Sequence, residues 1–322
     1  MLAACAAAAG LLLPAQAGAQ SAADYPSKPV RLVVGYSAGG TIDLAARRIA
    51  EDLGKELGQP VLVENRGGAN GVPASEFVAR SAAEGHTVLF TTVQAHASNQ
   101  FAYKKLSYDT IADFTPVTVL SQQPLILVAH PSVPANTVAE LVKVAKERKI
   151  SYASFGVGGL AHLAGVQLNL LAGTSMTHVP YKGGGPALAD VMGGHVDLYF
   201  SGMTTTLPLI AEGKLKPIAL ASAKRVRSLP NVPAVSETPG FGSFEAVVTP
   251  LMLLPAKTPA AIVVKLQQAT DRATRTEKHL AMIAKAGEGD VLTTTPAQAM
   301  ELLKKEVTVQ QTLFKAAGIE PE

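Results

Sequence analysis

Residues 31–50 read RLVVGYSAGGTIDLAARRIA and contain the first structural unit of the chain. The β-branched run at 30–34 predicts a buried strand. Thr41 is the expected N-cap of the helix that follows, and Asp43 in its first turn suits the helix dipole. A strand, a glycine-rich loop and a helix in this order predict an α/β fold. The apolar residues of the helix follow helical spacing, at Ile42, Ala46, Ile49, Leu53 and Leu57.

The same order of strand, polar or glycine-rich loop and helix continues along the first third of the chain. A second strand is predicted at 61–65, followed by a helix at about 73–82. A third strand at 86–92 is expected to open into a loop, Val93-Gln94-Ala95-His96. Strands joined through crossover helices run parallel, so these segments predict a parallel sheet.

A second set of segments with this order begins near residue 150. Strands are predicted at 150–155, 177–181 and 195–200. A helix should run from the first glycine-rich loop to about residue 172, and Pro186 should start the next one. Ser201-Gly202 is expected to be a loop after the last strand. The repeat is one of architecture, and it predicts two α/β lobes.

Two strand-like segments, 124–130 and 244–254, are expected to carry the chain from one lobe to the other and back. Helical patterns at about 258–275, 277–286 and 296–315 would complete the first lobe. The predicted fold is therefore α/β, with two parallel-sheet lobes joined by crossing strands. Lobe one would comprise 25–123 plus 249–322, and lobe two would comprise 124–248.

The composition argues against several classes of protein. The chain has 322 residues, 48% of them hydrophobic, and a net charge of +3 from scattered basic residues, with no Trp. Nucleic-acid binding therefore has little support. Residues 1–19 are typical of a secretory signal peptide, which would remove Cys5, the only cysteine, and with it disulfides and thiolate chemistry. No later run has the roughly 18 apolar residues of a membrane span. We expect a soluble periplasmic protein.

The loops at the carboxyl ends of the predicted strands are rich in glycine or hydroxyl residues. Ligands of open α/β sheets bind beyond these strand ends. Glycine-rich loops that lead into helices expose backbone N–H groups, which can hold an anion without any Lys or Arg. One such loop could serve only as a tight turn, but a whole sheet edge of them predicts a clamp for a small anion.

Gly35-Tyr36-Ser37-Ala38-Gly39 matches G-x-S-x-G, the nucleophile elbow of α/β-hydrolases. In those enzymes several strands and an oxyanion loop precede the elbow, whereas Ser37 follows the first predicted strand. Asp197 and His279 lie downstream, as such residues do in any long chain. We therefore interpret Ser37 as a hydrogen-bond donor to a ligand and keep a secreted serine hydrolase as the alternative.

Gly156-Val157-Gly158-Gly159-Leu160-Ala161 fits the G-x-G-x-x-G/A dinucleotide fingerprint. The acidic residue expected about 20 positions later is missing, because Tyr181 and Lys182 occupy that place, so no nicotinamide or other cofactor is predicted. His96 and His162 lie in or after the loops, where either a cleft position or a packing role is open. No histidine pair shows metal-ligand spacing.

Several motifs in order resemble one known family. They are Ala38-Gly39-Gly40 with Asp43, Val63-Glu64-Asn65-Arg66 with Gly67-Gly68-Ala69, Leu106-Ser107-Tyr108-Asp109, Asp113-Phe114-Thr115-Pro116-Val117, Tyr152-Ala153-Ser154, His162-Leu163-Ala164-Gly165 and Val179-Pro180-Tyr181-Lys182-Gly183. The chain from Tyr25 to Pro321 resembles the periplasmic receptors of tripartite tricarboxylate transporters, the Bug-type solute-binding proteins. Each motif is weak by itself, and the ordered set is specific.

The resemblance implies a two-lobed Venus-flytrap fold with two crossing strands. It also implies a non-enzymatic, monomeric receptor that closes on a small carboxylate and delivers it to a two-component membrane permease. A sensor that presents its ligand to a signalling partner would need the same clamp and stays open as an alternative. Carried over by position, the ligand-binding residues would be Tyr36, Ser37, Ala38, Gly39, Thr91, Gln94 and His96 in lobe one, and Phe155, Gly156, Val157, Gly158, Gly159, His162, Lys182, Gly183 and Ser201 in lobe two.

The chain departs from the family pattern at positions that bear on the ligand. Relatives usually have Pro at the position of Gly35, Ser or Thr at that of Gly159, and Asp at that of Ser201. Leu160 and Ala161 also replace polar residues. Lobe two therefore has fewer hydroxyls and less negative charge, which predicts a ligand with an apolar or aromatic body rather than an amino acid.

Overall fold

The computed structural model describes residues 24–226, 229–242, 244–285 and 291–321. The predicted signal peptide, 1–19, lies outside the described residues, as does Cys5. Within the described ranges no helix is both long and apolar enough to cross a membrane. The chain forms two α/β lobes, each built on one sheet with helices packed against it.

The strands and helices follow one another in the alternating order that the sequence predicts. The strands are β1 (Val30–Val34), β2 (Val61–Asn65), β3 (Thr87–Thr92), β4 (Phe114–Val119), β5 (Gln123–Ala129), β6 (Ser151–Ser154), β7 (Thr177–Pro180), β8 (Leu198–Gly202), β9 (Lys216–Leu220), β10 (Val247–Val248) and β11 (Pro250–Pro255). The helices are α1 (Thr41–Leu57), α2 (Val72–Ala79), α3 (Val93–Ala102), α4 (Val138–Glu147), α5 (Leu160–Ala172), α6 (Gly184–Met192), α7 (Met203–Ala211), α8 (Ala260–Thr274), α9 (Glu277–Lys285) and α10 (Pro296–Ala317).

The first sheet has the strand order β2-β1-β3-β11-β4, and the second has the order β10-β5-β8-β6-β7 with β9 also paired to β5. Both sheets are mixed rather than parallel, which corrects the sequence prediction. β11 runs antiparallel to β3 and β4, and β5 runs antiparallel to β8, β9 and β10. The reason is that the chain reaches β5 and β11 from the other lobe. Each of these strands therefore begins beside the carboxyl end of its neighbour, β8 or β3, and runs in the opposite direction.

The core of lobe one confirms the reading of residues 31–50. Val30, Leu32, Val33 and Val34 have no exposed surface, as expected for a strand covered by helices on both faces. α1 buries Ile42, Ala46, Ile49 and Leu53 against this sheet. The assignment of β1–β4 and β11 to one sheet and β5–β10 to the other agrees with two lobes. The boundaries at 123/124 and 248/249 remain a proposal.

Four local predictions were wrong. Gly40, not Thr41, is the N-cap of α1, and α6 begins at Gly184 rather than at Pro186. Val93–His96 is not a loop but the first turn of α3, because the Thr92 hydroxyl accepts the Ala95 N–H and caps the helix at the strand end. Ser201 and Gly202 belong to β8, where they pair with Ile126 and Leu125.

Candidate functional site

The two lobes are closed onto each other along the loop between β1 and α1. The Ser37 hydroxyl donates to the Lys182 carbonyl oxygen at 3.0 Å. The Thr41 and Thr205 hydroxyl oxygens are 3.2 Å apart. The ring of Tyr36 meets that of Phe155 edge-on, with 5.7 Å between centroids. Each contact joins a residue of one lobe to a residue of the other.

A cavity of about 40 Å³ lies between the lobes at these contacts. Strand ends and helix starts of both lobes form its wall. Of the described residues that line it, none carries a charged side chain. They are Tyr36, Gly40, Thr41, Ile42, Thr92, Leu125, Phe155, Leu160, Gly184, Tyr199, Gly202, Thr205 and Val248.

Four helices without a side-chain cap begin at the wall of this cavity. The N-caps of α1, α5, α6 and α7 are Gly40, Gly159, Gly183 and Gly202. By contrast, α3, α4 and α10 are capped by threonine hydroxyls. The first N–H groups of a helix have no partner within it, and the helix dipole makes this end positive. The wall therefore offers positive potential and free backbone donors without a cationic residue, which favours an anion.

Asp43 holds the loop between β1 and α1 in shape. Its carboxylate accepts the Gly39 N–H at 2.8 Å, the Asn65 amide at 2.8 Å and the Arg47 guanidinium at 3.0 Å. Burial alone would raise the pKa of Asp43, but these hydrogen bonds outweigh it and lower the pKa. The carboxylate stays ionised and engaged with its own lobe, which agrees with the predicted role of loop organiser.

Replacing Asp43 with alanine should destabilise the protein by about 2 kcal/mol, because the Gly39 N–H and the Asn65 amide lose their acceptor. Urea unfolding of the variant and of the unsubstituted chain measures the difference. Glu301→Ala, which removes an exposed acid of α10, is the matched control. Equal losses in the two variants would contradict the role of Asp43.

Two stacked histidines support the glycine-rich loop at 155–159. His162 Nδ1 accepts the Gly158 N–H at 3.0 Å, and the rings of His162 and His178 lie 3.8 Å apart. His178 Nε2 lies 2.6 Å from the Ser154 hydroxyl, which donates to the Gly156 carbonyl. Burial lowers the pKa of His162 to about 4. Burial and the neighbouring His162 lower that of His178 to about 3. Both are therefore neutral near pH 7.

His96 has a packing role. Its side chain is fully buried in lobe one, between the rings of Tyr108 and Phe114, and Nε2 donates to the Thr110 carbonyl at 2.9 Å. Burial lowers its pKa to about 4. His96 is not among the residues that line the cavity. The sequence left open a cleft position or a packing role for this residue, and the structure shows packing.

The structure brings most of the sequence-derived candidates to the lobe interface, but only Tyr36 and Phe155 line the cavity. Ala38 and Gly39 are exposed, as is Lys182, whereas Val157 is half-buried. The side chain of Gln94 bonds Thr249 at the crossing strand. The candidates packed against the opposite lobe are Ser37, Gly156, Gly158, Gly159 and Gly183.

Two candidates are displaced by one position from the cavity wall. Thr92 lines the cavity instead of Thr91, and Gly202 lines it instead of Ser201, whose hydroxyl accepts that of Thr206. Successive residues of a strand point to opposite faces, so a shift of one position moves a side chain away from the site.

Sequence reasoning missed most of the apolar wall and the tyrosine within it. Leu125, Tyr199 and Val248 belong to strands that read as core, and only the closed arrangement of the lobes places them at the cavity. Thr41 and Thr205 had a usable signal, since each stands in the first turn of a helix that follows a glycine-containing strand end.

Known proteins are similar to this chain in sequence and in fold. The family model "Tripartite tricarboxylate transporter family receptor" matches residues 45–319. Protein BugT of Bordetella pertussis is 32% identical over 290 residues, which are 89% of this chain and 88% of BugT. The solved periplasmic binding protein BugD is 34% identical with a TM-score of 0.87, over 92% of this chain and 100% of BugD. Rpa4515 of R. palustris, solved with adipate, is 30% identical with a TM-score of 0.89, over 93% and 100% of the two chains.

Two lobes closed over a neutral cavity with converging helix N-termini define a periplasmic-binding-protein fold. The chain belongs to the tripartite tricarboxylate transporter receptor family, of Bug type. The family and these structural neighbours are binding proteins.

Proposed function

We propose that this protein is an extracytoplasmic receptor that clamps a small organic carboxylate between its lobes and delivers it to a tripartite tricarboxylate-type membrane permease. The convergence of four uncapped helix N-termini on a cavity without charged side chains carries the proposal. Rpa4515, a similar protein, was solved with adipate, a dicarboxylate. The proposed receptor acts as a monomer, and residues 1–19 direct its export.

The proposed mechanism is closure about the crossing segments. The chain passes between the sheets where β4 leads to β5 and where β10 leads to β11. Bending there separates Ser37 from Lys182 and Thr41 from Thr205 and opens the cavity to solvent. A carboxylate at the helix starts of both lobes favours the closed form, and exclusion of water strengthens its hydrogen bonds. The permease then recognises the closed shape.

Two other functions use the same features. A sensor would hold its ligand in the same closed form and differ only in the partner it meets. A hydrolase would use Ser37 as the nucleophile, but that hydroxyl donates to the Lys182 carbonyl, which cannot act as a base. This contact favours a role for Ser37 in closing the lobes. Ester hydrolysis abolished by Ser37→Ala would establish the enzyme instead.

Thermal unfolding against a panel of small acids tests the proposal. At a concentration of 100 times its dissociation constant, a ligand that binds only the folded protein adds about 2.7 kcal/mol to the stability. We expect a rise in Tm with acids of one class and none with their amides or esters. A rise with the amides as well would show that the cavity does not select for the anion and would contradict the proposed function.

A further inference from the structure

Among the described residues that line the cavity, Tyr199 has the one polar side chain without a hydrogen-bond partner. The side chain is 2% exposed, and it reaches the cavity from the second residue of β8. Its hydroxyl forms no hydrogen bond with any residue that the structure describes. A Cβ atom placed on Gly184, the first residue of α6, would lie 3.0 Å from this hydroxyl. Tyr199 therefore presents its hydroxyl at the start of a helix.

The other polar side chains of the wall are already paired. The Tyr36 hydroxyl is 3.0 Å from that of Thr92, which also accepts the Ala95 N–H. The Thr41 hydroxyl is bonded to that of Thr205, which can donate to the Gly202 carbonyl. A ligand that used these groups would have to break an existing hydrogen bond. Tyr199 is the donor that a ligand can use without such a loss.

The free donors gather at one end of the cavity. A Cβ atom on Gly40 would lie 3.9 Å from the Gly184 backbone nitrogen, and one on Gly202 would overlap the side chain of Thr41. The starts of α1, α6 and α7 are therefore neighbours of one another and of the Tyr199 hydroxyl. One carboxylate at this point meets three positive helix ends and one phenol.

Apart from the start of α5, the remaining wall has nothing comparable for a second carboxylate. It consists of Ile42, Leu125, Phe155, Leu160 and Val248, with the paired hydroxyls of Tyr36 and Thr92. A carboxylate against these side chains would lose its hydration without compensation.

The start of α5 reaches the cavity wall at Leu160, but its N-cap packs against lobe one. A Cβ atom on its N-cap, Gly159, would lie 3.1 Å from Asn70 Oδ1. This buried acceptor of lobe one has no hydrogen-bond partner among the described residues. The first turn of α5 therefore faces a protein oxygen, which opposes an anion there.

We propose that the cavity takes a compact monocarboxylate with an apolar body, and that Tyr199 donates a hydrogen bond to the carboxylate. The inference rests on the proposed function, since it assigns the class of acid to the same site. Burial and the nearby Tyr36 hydroxyl raise the pKa of Tyr199, so the phenol keeps the proton it donates. The chain then differs from Rpa4515, which was solved with the dicarboxylate adipate.

Calorimetric titration with acids matched in length tests the inference: butyrate against succinate, hexanoate against adipate, and benzoate against phthalate. We expect the monocarboxylate of at least one pair to bind about 10-fold tighter than its partner. Tyr199→Phe, which removes only the hydroxyl, should weaken that binding by about 10- to 100-fold. Tyr25→Phe removes a buried hydroxyl that bonds Gly85 in lobe one, and it should leave the affinity unchanged.

The possible outcomes separate this inference from the proposed function. Tighter binding of the dicarboxylate in every pair overturns the monocarboxylate class and leaves the anion receptor standing. An unchanged affinity in Tyr199→Phe overturns the role of the hydroxyl. Absence of binding by all six acids, with the protein folded by circular dichroism, counts against the carboxylate receptor itself and overturns both.

Discussion

Replacing Gly202 with alanine is expected to weaken ligand binding by about 10- to 100-fold while both lobes stay folded. Gly202 caps α7 in lobe two with a φ of −73°, which alanine adopts freely. In the closed form the new methyl group would overlap Thr41 Oγ1 and lie 2.7 Å from Thr41 Cβ and Cγ2. Thr41 belongs to α1 of lobe one, so the lobes must move apart. Overpacking of this kind costs about 1–3 kcal/mol. Because the clash exists only when the lobes are closed, it destabilises the closed form and not the individual lobes.

Calorimetry with the best acid of the panel measures the affinity, and small-angle scattering measures the radius of gyration with and without it. The variant should bind weakly and remain extended at ligand concentrations that compact the unsubstituted protein. Gly242→Ala is the matched control, because among the described residues no heavy atom beyond the adjoining positions lies within 4 Å of the added Cβ. Unchanged affinity and compaction in Gly202→Ala would show that the closed form seen here is not the binding form.

Acidification from pH 6.5 to pH 4 is expected to lower the free energy of unfolding by several kcal/mol. Burial lowers the pKa values of His96 and His162 to about 4 and that of His178 to about 3. Below the ordinary pKa near 6.5 the unfolded chain binds protons that the folded chain does not, so stability falls with pH in this window. At about 1.4 kcal/mol per pKa unit, His96 and His162 each contribute about 3 kcal/mol at full effect.

His96 gives this prediction a structural cause. Its Nε2 donates to the Thr110 carbonyl, and its buried Nδ1 has no partner among the described residues, so protonation would add a buried N–H without an acceptor. Urea unfolding at pH 7, 5.5 and 4.5 measures the slope. His96→Gln should flatten it, whereas His195→Gln, at an exposed position, should not. A slope that is unchanged in His96→Gln would contradict the assignment.

The order of strands and helices could be predicted from local patterns, because the spacing of hydrophobic residues within each segment indicates whether it is a strand or a helix. β1 and β2 have the predicted bounds, and α1 buries the predicted face. Errors occurred where contacts with residues outside the segment determine its conformation or direction. Val93–His96 became helical because the Thr92 hydroxyl at a strand end caps α3. The antiparallel direction of β5 and β11 follows from how the chain crosses between the lobes.

The candidate site was likewise predictable only in part from the sequence. The sequence by itself placed glycine-rich loops at strand ends, named Tyr36 and Phe155, and indicated an anion without a cationic partner. Only the tertiary structure decided which face of each strand end meets the cavity and that His96 packs in the core. It also decided that Tyr199 is the donor of the cavity wall left unpaired by the described residues. The physical reason is that backbone propensity and hydrophobic period are local, whereas pairing, burial and lobe closure depend on residues far apart in the chain.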